Sequence, residues 1–119
     1  MWLLKQLGVI LLLLVHLTQA NVHHIYANQL DSLVQSHRLV LLTLYAPWCN
    51  HCRLVLPVIE RVALRLMNTS IDASLAMIDM SLSMNKELFE SLPIFGYPTL
   101  LLFRDGNLVE GYSGSRTEK

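Results

Sequence analysis

Short runs of apolar residues recur along the chain and predict the strands of a sheet. The clearest run covers residues 39–45 (LVLLTLY), and further strands are predicted over 22–26, 74–80, 99–103 and 108–112. Continuous apolar character of this kind is typical of strands that are covered on both faces. The last two strands are joined by Asp105-Gly106-Asn107, a tight-turn sequence.

Stretches with apolar residues at three- and four-residue spacing lie between these runs and predict helices. The longest covers 49–67, with Leu54, Val55, Val58, Ile59, Val62, Ala63 and Leu66 on its apolar face, and Pro57 is expected to kink it. Shorter helices are predicted over 29–35, capped by Asn28 and burying Leu30, Leu33 and Val34, and over 85–92, burying Leu88, Phe89 and Leu92. The order β-α-β-α-β-α-β-β predicts an α/β domain whose mixed sheet carries helices on both faces.

The first 20 residues follow a different pattern. Lys5 precedes an apolar stretch from Leu7 to Leu17, and Thr18-Gln19-Ala20 ends the segment with a small residue. This arrangement predicts a secretory signal peptide over 1–20 and a single domain over 21–119. An uncleaved membrane anchor is the alternative, although a span needs about 20 apolar residues.

Charge and hydropathy exclude several classes of function. The chain has nine basic and nine acidic residues, and without Lys5 of the leader the remaining chain has a formal charge of −1 (8 − 9). No basic patch indicates nucleic-acid binding. No later apolar run is long enough to cross a membrane, so membrane association is expected only through the N-terminal segment or a part beyond this sequence.

The only two cysteines, Cys49 and Cys52, predict redox chemistry. Their loop is too small to constrain the unfolded chain much, but such a pair can cycle between dithiol and disulfide. The start of a helix favours the Cys49 thiolate, and a protonated His51 would lower its pKa further. Cys49 is therefore the predicted nucleophile, and Cys52 is the predicted resolving thiol.

Two other sequence motifs concern metal binding and glycosylation. The cysteine pair could be half of a zinc site completed by His23 and His24. Zinc sites usually show a second ligand pair, so no metal and no cofactor are predicted. Asn68-Thr69-Ser70 is an N-glycosylation sequon on a predicted loop.

These residues together resemble the thioredoxin superfamily, and most of all a catalytic domain of the protein disulfide isomerase family. The matching positions are 44–53 (LYAPWCNHCR), Pro57, Asp79, 96–100 (GYPTL), Phe103, Asp105-Gly106 and 112–117 (YSGSRT). The resemblance implies a thioredoxin-like fold and a Cys49–Cys52 disulfide. It further implies a thiol–disulfide oxidoreductase of the endoplasmic reticulum lumen that acts on unfolded or misoxidised secretory polypeptides.

The resemblance also implies roles for residues around the cysteines. Pro98 would be a cis-proline facing the pair, and the backbone of Tyr97 would bind the substrate chain. Trp48 is expected to be half-buried beside the site, and Arg116 to approach the resolving cysteine. Asn50 replaces the glycine that the family most often places between the cysteines. Without the resemblance, Pro98 would be an ordinary turn proline and Arg116 a solvated charge.

Two features depart from the family pattern. Thr43 occupies the position of a buried acid that accepts a proton from the resolving cysteine, and a hydroxyl cannot act as a base near neutral pH. Only the first residues of the family's last helix are present, so the domain is expected to lack most of that helix. These departures keep open an alternative function, a peptide-binding or chaperone-like module with weak redox activity.

Overall fold

The computed structural model describes residues 1–18 and 22–111 of the chain. The helices are α1 (Trp2–Thr18), α2 (Leu30–Ser36), α3 (Asn50–Met67) and α4 (Leu88–Ser91), with short 3-10 helices at Ala27–Gln29 and Ser83–Asn85. The strands are β1 (Val22–His24), β2 (Leu39–Tyr45), β3 (Ala73–Asp79), β4 (Thr99–Arg104) and β5 (Asn107–Gly111). The expected cleavage position after Ala20, the expected role of Arg116 and the expected start of a last helix lie outside the described residues.

The five strands form one mixed sheet in the order β1-β3-β2-β4-β5. Strand β3 pairs in parallel with β1 and β2, whereas β4 runs antiparallel to both β2 and β5. The central strand β2 is therefore paired with β3 on one edge and with β4 on the other. It ends at Tyr45, directly before the segment that leads to the cysteines. The predicted α/β class and the mixed sheet are confirmed.

Helices cover the two faces of the sheet, as predicted. On one face α2 and α4 pack over inward side chains of β2, β3 and β4, which include Leu42, Ile78 and Leu101. On the other face α3 packs through Val55, Ile59 and Ala63 over Leu75, Met77 and Leu100. Successive side chains of a strand point to opposite faces of the sheet. Because helices cover both faces, the side chains on both faces of each inner strand are buried, which explains the continuous apolar sequence.

Two side chains that the helical pattern predicted to be buried are exposed. Leu54 of α3 is 74% exposed and Phe89 of α4 is 44% exposed. In a helix each residue is rotated by about 100° from the next. Since the buried line of α3 runs through Cys52, Val55, Ile59 and Ala63, Leu54 is turned away from the sheet.

The predicted cap at Asn28 is also wrong. The helical turn begins at Ala27 with Tyr26 as its N-cap, two residues earlier than predicted, and the Gln29 side chain accepts a hydrogen bond from the Tyr26 N–H at 2.9 Å. Asn28 lies inside the resulting 3-10 helix and is exposed.

The predicted tight turn between β4 and β5 is confirmed. Asp105 and Gly106 have φ angles of 50° and 82°, which is the left-handed backbone of a two-residue hairpin turn. The positive φ of Gly106 favours glycine here, and a Cβ atom would in addition displace the end of the exposed Gln35 side chain, whose amide nitrogen would lie 2.7 Å away.

The N-terminal segment forms the separate helix α1. Within residues 1–18 and 22–111, no helix has the combined length and apolar character that crossing a membrane requires.

Candidate active site

The two cysteines lie at the junction between the end of β2 and the start of α3. The Cys49 N–H donates to the carbonyl of Ala46 at 3.1 Å, which closes the turn between the two elements. Cys49 is the N-cap of α3, and Cys52 lies in its first turn. Both are free thiols and both are buried, Cys49 6% exposed and Cys52 1% exposed, so Cys49 is the more accessible of the two.

The sulfur of Cys49 is held by polar groups on two sides. Its Sγ accepts a hydrogen bond from the Cys52 N–H at 3.2 Å, as N-cap side chains do at a helix start. On the other side it lies 3.6 Å from the carbonyl oxygen of Tyr97, to which the thiol donates.

The pKa of Cys49 lies below the ordinary value of a cysteine thiol. Burial opposes ionisation, but hydrogen bonds from the Cys52 thiol and from the N–H groups of Cys52 and His51, with the charge of Arg53, outweigh it. These donors stabilise the thiolate at the helix N-terminus. The structure places the contribution of His51 in its backbone N–H rather than in the ring charge that the sequence suggested.

The pKa of Cys52 is shifted in the opposite direction, to about 11. Burial is the main cause, followed by its hydrogen bond to Cys49 and the negative charge of that sulfur. At neutral pH the pair therefore holds one activated thiol and one protonated thiol.

A loop from a distant part of the chain forms the other wall of the site. The Tyr97–Pro98 peptide bond is cis, which confirms the expectation for Pro98. Tyr97 packs against both cysteines and makes an edge-to-face contact with Trp48, with ring centroids 5.8 Å apart. Trp48 is 68% exposed, so the expectation of a half-buried ring is wrong, because its only aromatic neighbour in the described residues covers one edge.

A shallow groove of about 430 Å³ opens between α3 and this loop. It is lined by His51, Leu54, Val55, Tyr97 and Pro98. Asn50, the first residue of α3, is exposed. The groove therefore brings together the predicted substrate-binding residues and His51, and adds Leu54 and Val55, which the sequence had placed only in the helix core.

Thr43 lies in the middle of the sheet beneath α3. Its side chain is fully buried, and its Oγ1 has no hydrogen-bond partner among the residues that the structure describes. Its neighbours in register are Met77 on β3 and Leu100 on β4. No proton acceptor is therefore present at this position or directly beside it in the sheet.

Several polar residues near the site were not found from the sequence. Tyr45 packs against the cysteines, and burial raises its pKa, with the charges of Asp79 and Cys52 adding to the effect. Asn85 is fully buried, accepts from the Ala27 N–H and donates to the Asp79 carbonyl, both at 2.8 Å. The sequence shows Arg53 directly after Cys52, and this position is a signal for its effect on the cysteines. It gives no signal for the contact of Asn85 with Ala27, which is 58 positions away.

No group of three or more His, Cys, Asp or Glu side chains in residues 1–18 and 22–111 could hold a metal ion. His23 and His24 on β1 thus do not complete a zinc site with the cysteines in the described part of the chain. The sequon residue Asn68 lies at the opposite end of α3, where it is exposed and forms the C-cap.

Comparison with known proteins gives a consistent result. The family model described as Thioredoxin matches residues 21–119. The chain is 33% identical over 91 residues to protein disulfide isomerase-like 1-2 of Oryza sativa subsp. japonica, covering 76% of this chain and 18% of that protein. It is 39% identical over 89 residues to a protein disulfide-isomerase of Drosophila melanogaster, covering 75% and 17%.

Among solved structures, a mutant thioredoxin from Halobacterium salinarum superposes with a TM-score of 0.67 at 32% identity. The match covers 82% of this chain and 80% of that one. The chain spans about a fifth of the length of the curated relatives it matches.

Proposed function

The chain belongs to the thioredoxin family, and from that premise we propose that it is a thiol–disulfide oxidoreductase of the protein disulfide isomerase type. Its clients are unfolded or misoxidised polypeptides of the secretory pathway, and it needs no cofactor. The observation that carries the proposal is the contrast within the pair. The pKa of Cys49, the more accessible of the two thiols, is lowered at the N-terminus of α3, while that of Cys52 is raised to about 11.

The reaction follows from this contrast. The Cys49 thiolate attacks one sulfur of a client disulfide, forms a mixed disulfide and releases the other client sulfur as a thiolate. Cys52 then loses its proton and attacks Sγ of Cys49. This releases the second client thiolate and leaves a Cys49–Cys52 disulfide, so two electrons pass from the protein to the client. The same steps in reverse oxidise a client dithiol.

The groove beside Cys49 supports a polypeptide as the client. The carbonyl of Tyr97 lies 3.6 Å from the reacting sulfur, so a chain that reaches Cys49 also passes the backbone of this loop. Tyr97 and Pro98 line the groove and are the proposed substrate-binding residues. Trp48 and Asn50 flank the site, and Arg116 is proposed to favour the Cys52 thiolate.

The N-terminal segment supports the endoplasmic reticulum as the compartment. A cleaved signal peptide over 1–20 would deliver the domain to an oxidising lumen, where disulfide chemistry has its clients. The exposed sequon at Asn68 would be glycosylated there, at the end of α3 away from the cysteines. The upstream redox partner is not identified by any residue of the chain.

A turnover assay tests the proposal. The purified protein is mixed in a glutathione buffer with a reduced, unfolded substrate whose native form contains disulfides, and recovery of the native substrate is compared with that given by the Cys49→Ser and Cys52→Ser variants. We expect catalysis by the wild type, none by Cys49→Ser, and a trapped mixed disulfide with Cys52→Ser. Binding of unfolded substrate without a rate gain over Cys49→Ser would instead favour the chaperone-like module, which the uncharged Thr43 also favours.

A further inference from the structure

The groove beside Cys49 has an apolar lining with no acidic residue in it. Of the five described residues that line it, Leu54, Val55 and Pro98 are aliphatic, Tyr97 presents a ring, and His51 is the one basic side chain. A client residue that enters the groove therefore gains mainly by removing apolar surface from water.

Leu54 is the exceptional member of this lining. It is 74% exposed, whereas the side chains of the same helix that face the sheet are buried. Leu54 therefore contributes little to the core. Leu54 lies beside Val55, Tyr97 and Pro98 in the groove, and contiguous exposed apolar surface is typical of interaction sites.

The apolar surface continues past the groove and leads to the reactive sulfur. Leu54 faces the groove with Tyr97, and the Tyr97 ring contacts Trp48, which is itself 68% exposed. The Tyr97 carbonyl is within 3.6 Å of the Cys49 sulfur. An occupant that reacts with Cys49 therefore lies across this surface, and under the proposed function it is a polypeptide segment that carries a cysteine.

We propose that this surface selects clients in which a bulky aliphatic or aromatic residue adjoins the cysteine under attack, and that Leu54 sets the preference. This inference rests on the proposed function and adds a substrate class to it. Leu54 acts by contact with the neighbouring client residue and takes no part in the electron transfer.

Competing peptides test the selection. Reduced protein is mixed with two disulfide-linked peptides of equal charge, one with leucine and one with serine on either side of the cysteine, and the rates of reduction are compared. Hydroxyethyl disulfide has no side chains to fill the groove, so its rate of reduction measures the reactivity of Cys49 itself. We expect a preference for the leucine peptide of about fivefold to tenfold, the range for burying part of one aliphatic side chain.

Leu54→Gln should reduce this preference to about twofold or less, when each peptide rate is divided by the rate of the same variant on hydroxyethyl disulfide. Glutamine is uncharged and a good helix former, so it leaves the electrostatics of Cys49 and the helix intact. Leu64→Gln is the matched control, because Leu64 is an exposed leucine of the same helix, 42% exposed and outside the groove. Leu54→Met should keep the preference, since it keeps the apolar contact.

The outcomes separate this inference from the function on which it rests. Failure of the wild type to reduce any of the three disulfides would overturn the proposed function. Normal rates with no preference between peptides would overturn the selection alone. A preference that survives in Leu54→Gln, or that falls equally in Leu64→Gln, would show that Leu54 does not set it.

Discussion

At the scale of single residues, the site depends on two thiols that are three positions apart and differ in environment. Cys49 is stabilised as an anion by the donors that surround its sulfur, and Cys52 is held as a thiol by burial and by that anion. The same helix start produces both effects, because the N–H groups point at the first sulfur and the first turn buries the second.

Gentle alkylation should therefore label Cys49 well before Cys52. Since the pKa of Cys49 is lowered, its labelling should set in at a lower pH than that of an ordinary thiol. Labelling of Cys52 should remain slow until the pH approaches about 11. Peptide mapping after a short pulse measures both sites, and preferential labelling of Cys52 would contradict the assignment of the nucleophile.

Thr43 is the residue-scale feature that should limit turnover. In the mixed disulfide Cys52 must lose a proton, and the buried Thr43 hydroxyl cannot accept it. We expect Thr43→Glu to shorten the lifetime of the mixed disulfide by about tenfold or more, with the largest difference at mildly acidic pH. Acid quenching and gel analysis of the trapped species give the lifetime.

Thr43→Gln is the matched control, because it has the same shape as the glutamate variant and no basic group. Its mixed disulfide should live as long as that of the wild type. Equal lifetimes in all three proteins would mean that another group deprotonates Cys52, and the exposed His51 would be the next candidate.

At the scale of elements, the site is built where three segments meet. Strand β2 delivers the chain to Cys49, α3 supplies the donors, and the loop before β4 supplies the Tyr97 carbonyl and Pro98. The end of β3 is tied to the first 3-10 helix by Asn85, whose amide joins Ala27 to Asp79. This buried bridge holds the carboxyl end of the parallel strands on the side where the cysteines lie.

Asn85→Ala should destabilise the domain by about 2–4 kcal/mol, because it leaves a buried N–H and a buried carbonyl without partners. The shift in the midpoint of urea unfolding measures this change in the free energy of unfolding, provided that the dependence of that free energy on urea concentration is the same in both proteins. Asn28→Ala is the control, since Asn28 is exposed and has no capping role, and its effect should stay within about 0.5 kcal/mol. A similar small effect at Asn85 would mean that the bridge contributes little.

At the scale of the whole molecule, the hydrophobic N-terminal helix α1 precedes one thioredoxin-family domain. Helix α1 has an exposed apolar surface over Trp2 to Leu11, which is the composition of a targeting segment. The domain itself carries one redox centre in the described residues, and the sequon lies at the far end of α3 from it.

Processing in the secretory pathway should therefore remove the leader. Protein recovered from a secretory expression host should begin near Asn21, because the apolar stretch is short and ends in a small residue. N-terminal mass spectrometry measures this directly, with Ala20→Arg as the variant expected to block cleavage. Wild-type protein that retains Met1 in the membrane fraction would favour an anchor instead.

The sequence by itself determined the elements and the identity of the reacting pair. Strand 39–45, the long helix that starts at the cysteines and the turn at Asp105-Gly106 were predictable, because apolar periodicity and turn chemistry act between residues close in the chain. The redox pair was recognisable for the same reason, since its spacing is local.

Only the tertiary structure decided which side chains meet. The contact of Cys49 with Tyr97 spans 48 positions, and that of Asn85 with Ala27 spans 58. The exposure of Leu54 depends on how α3 is rotated over the sheet. The Thr43 hydroxyl has no hydrogen-bond partner among the described residues because β3 and β4 place Met77 and Leu100 beside it. These properties follow from packing between distant segments, for which the local pattern of the chain contains no signal.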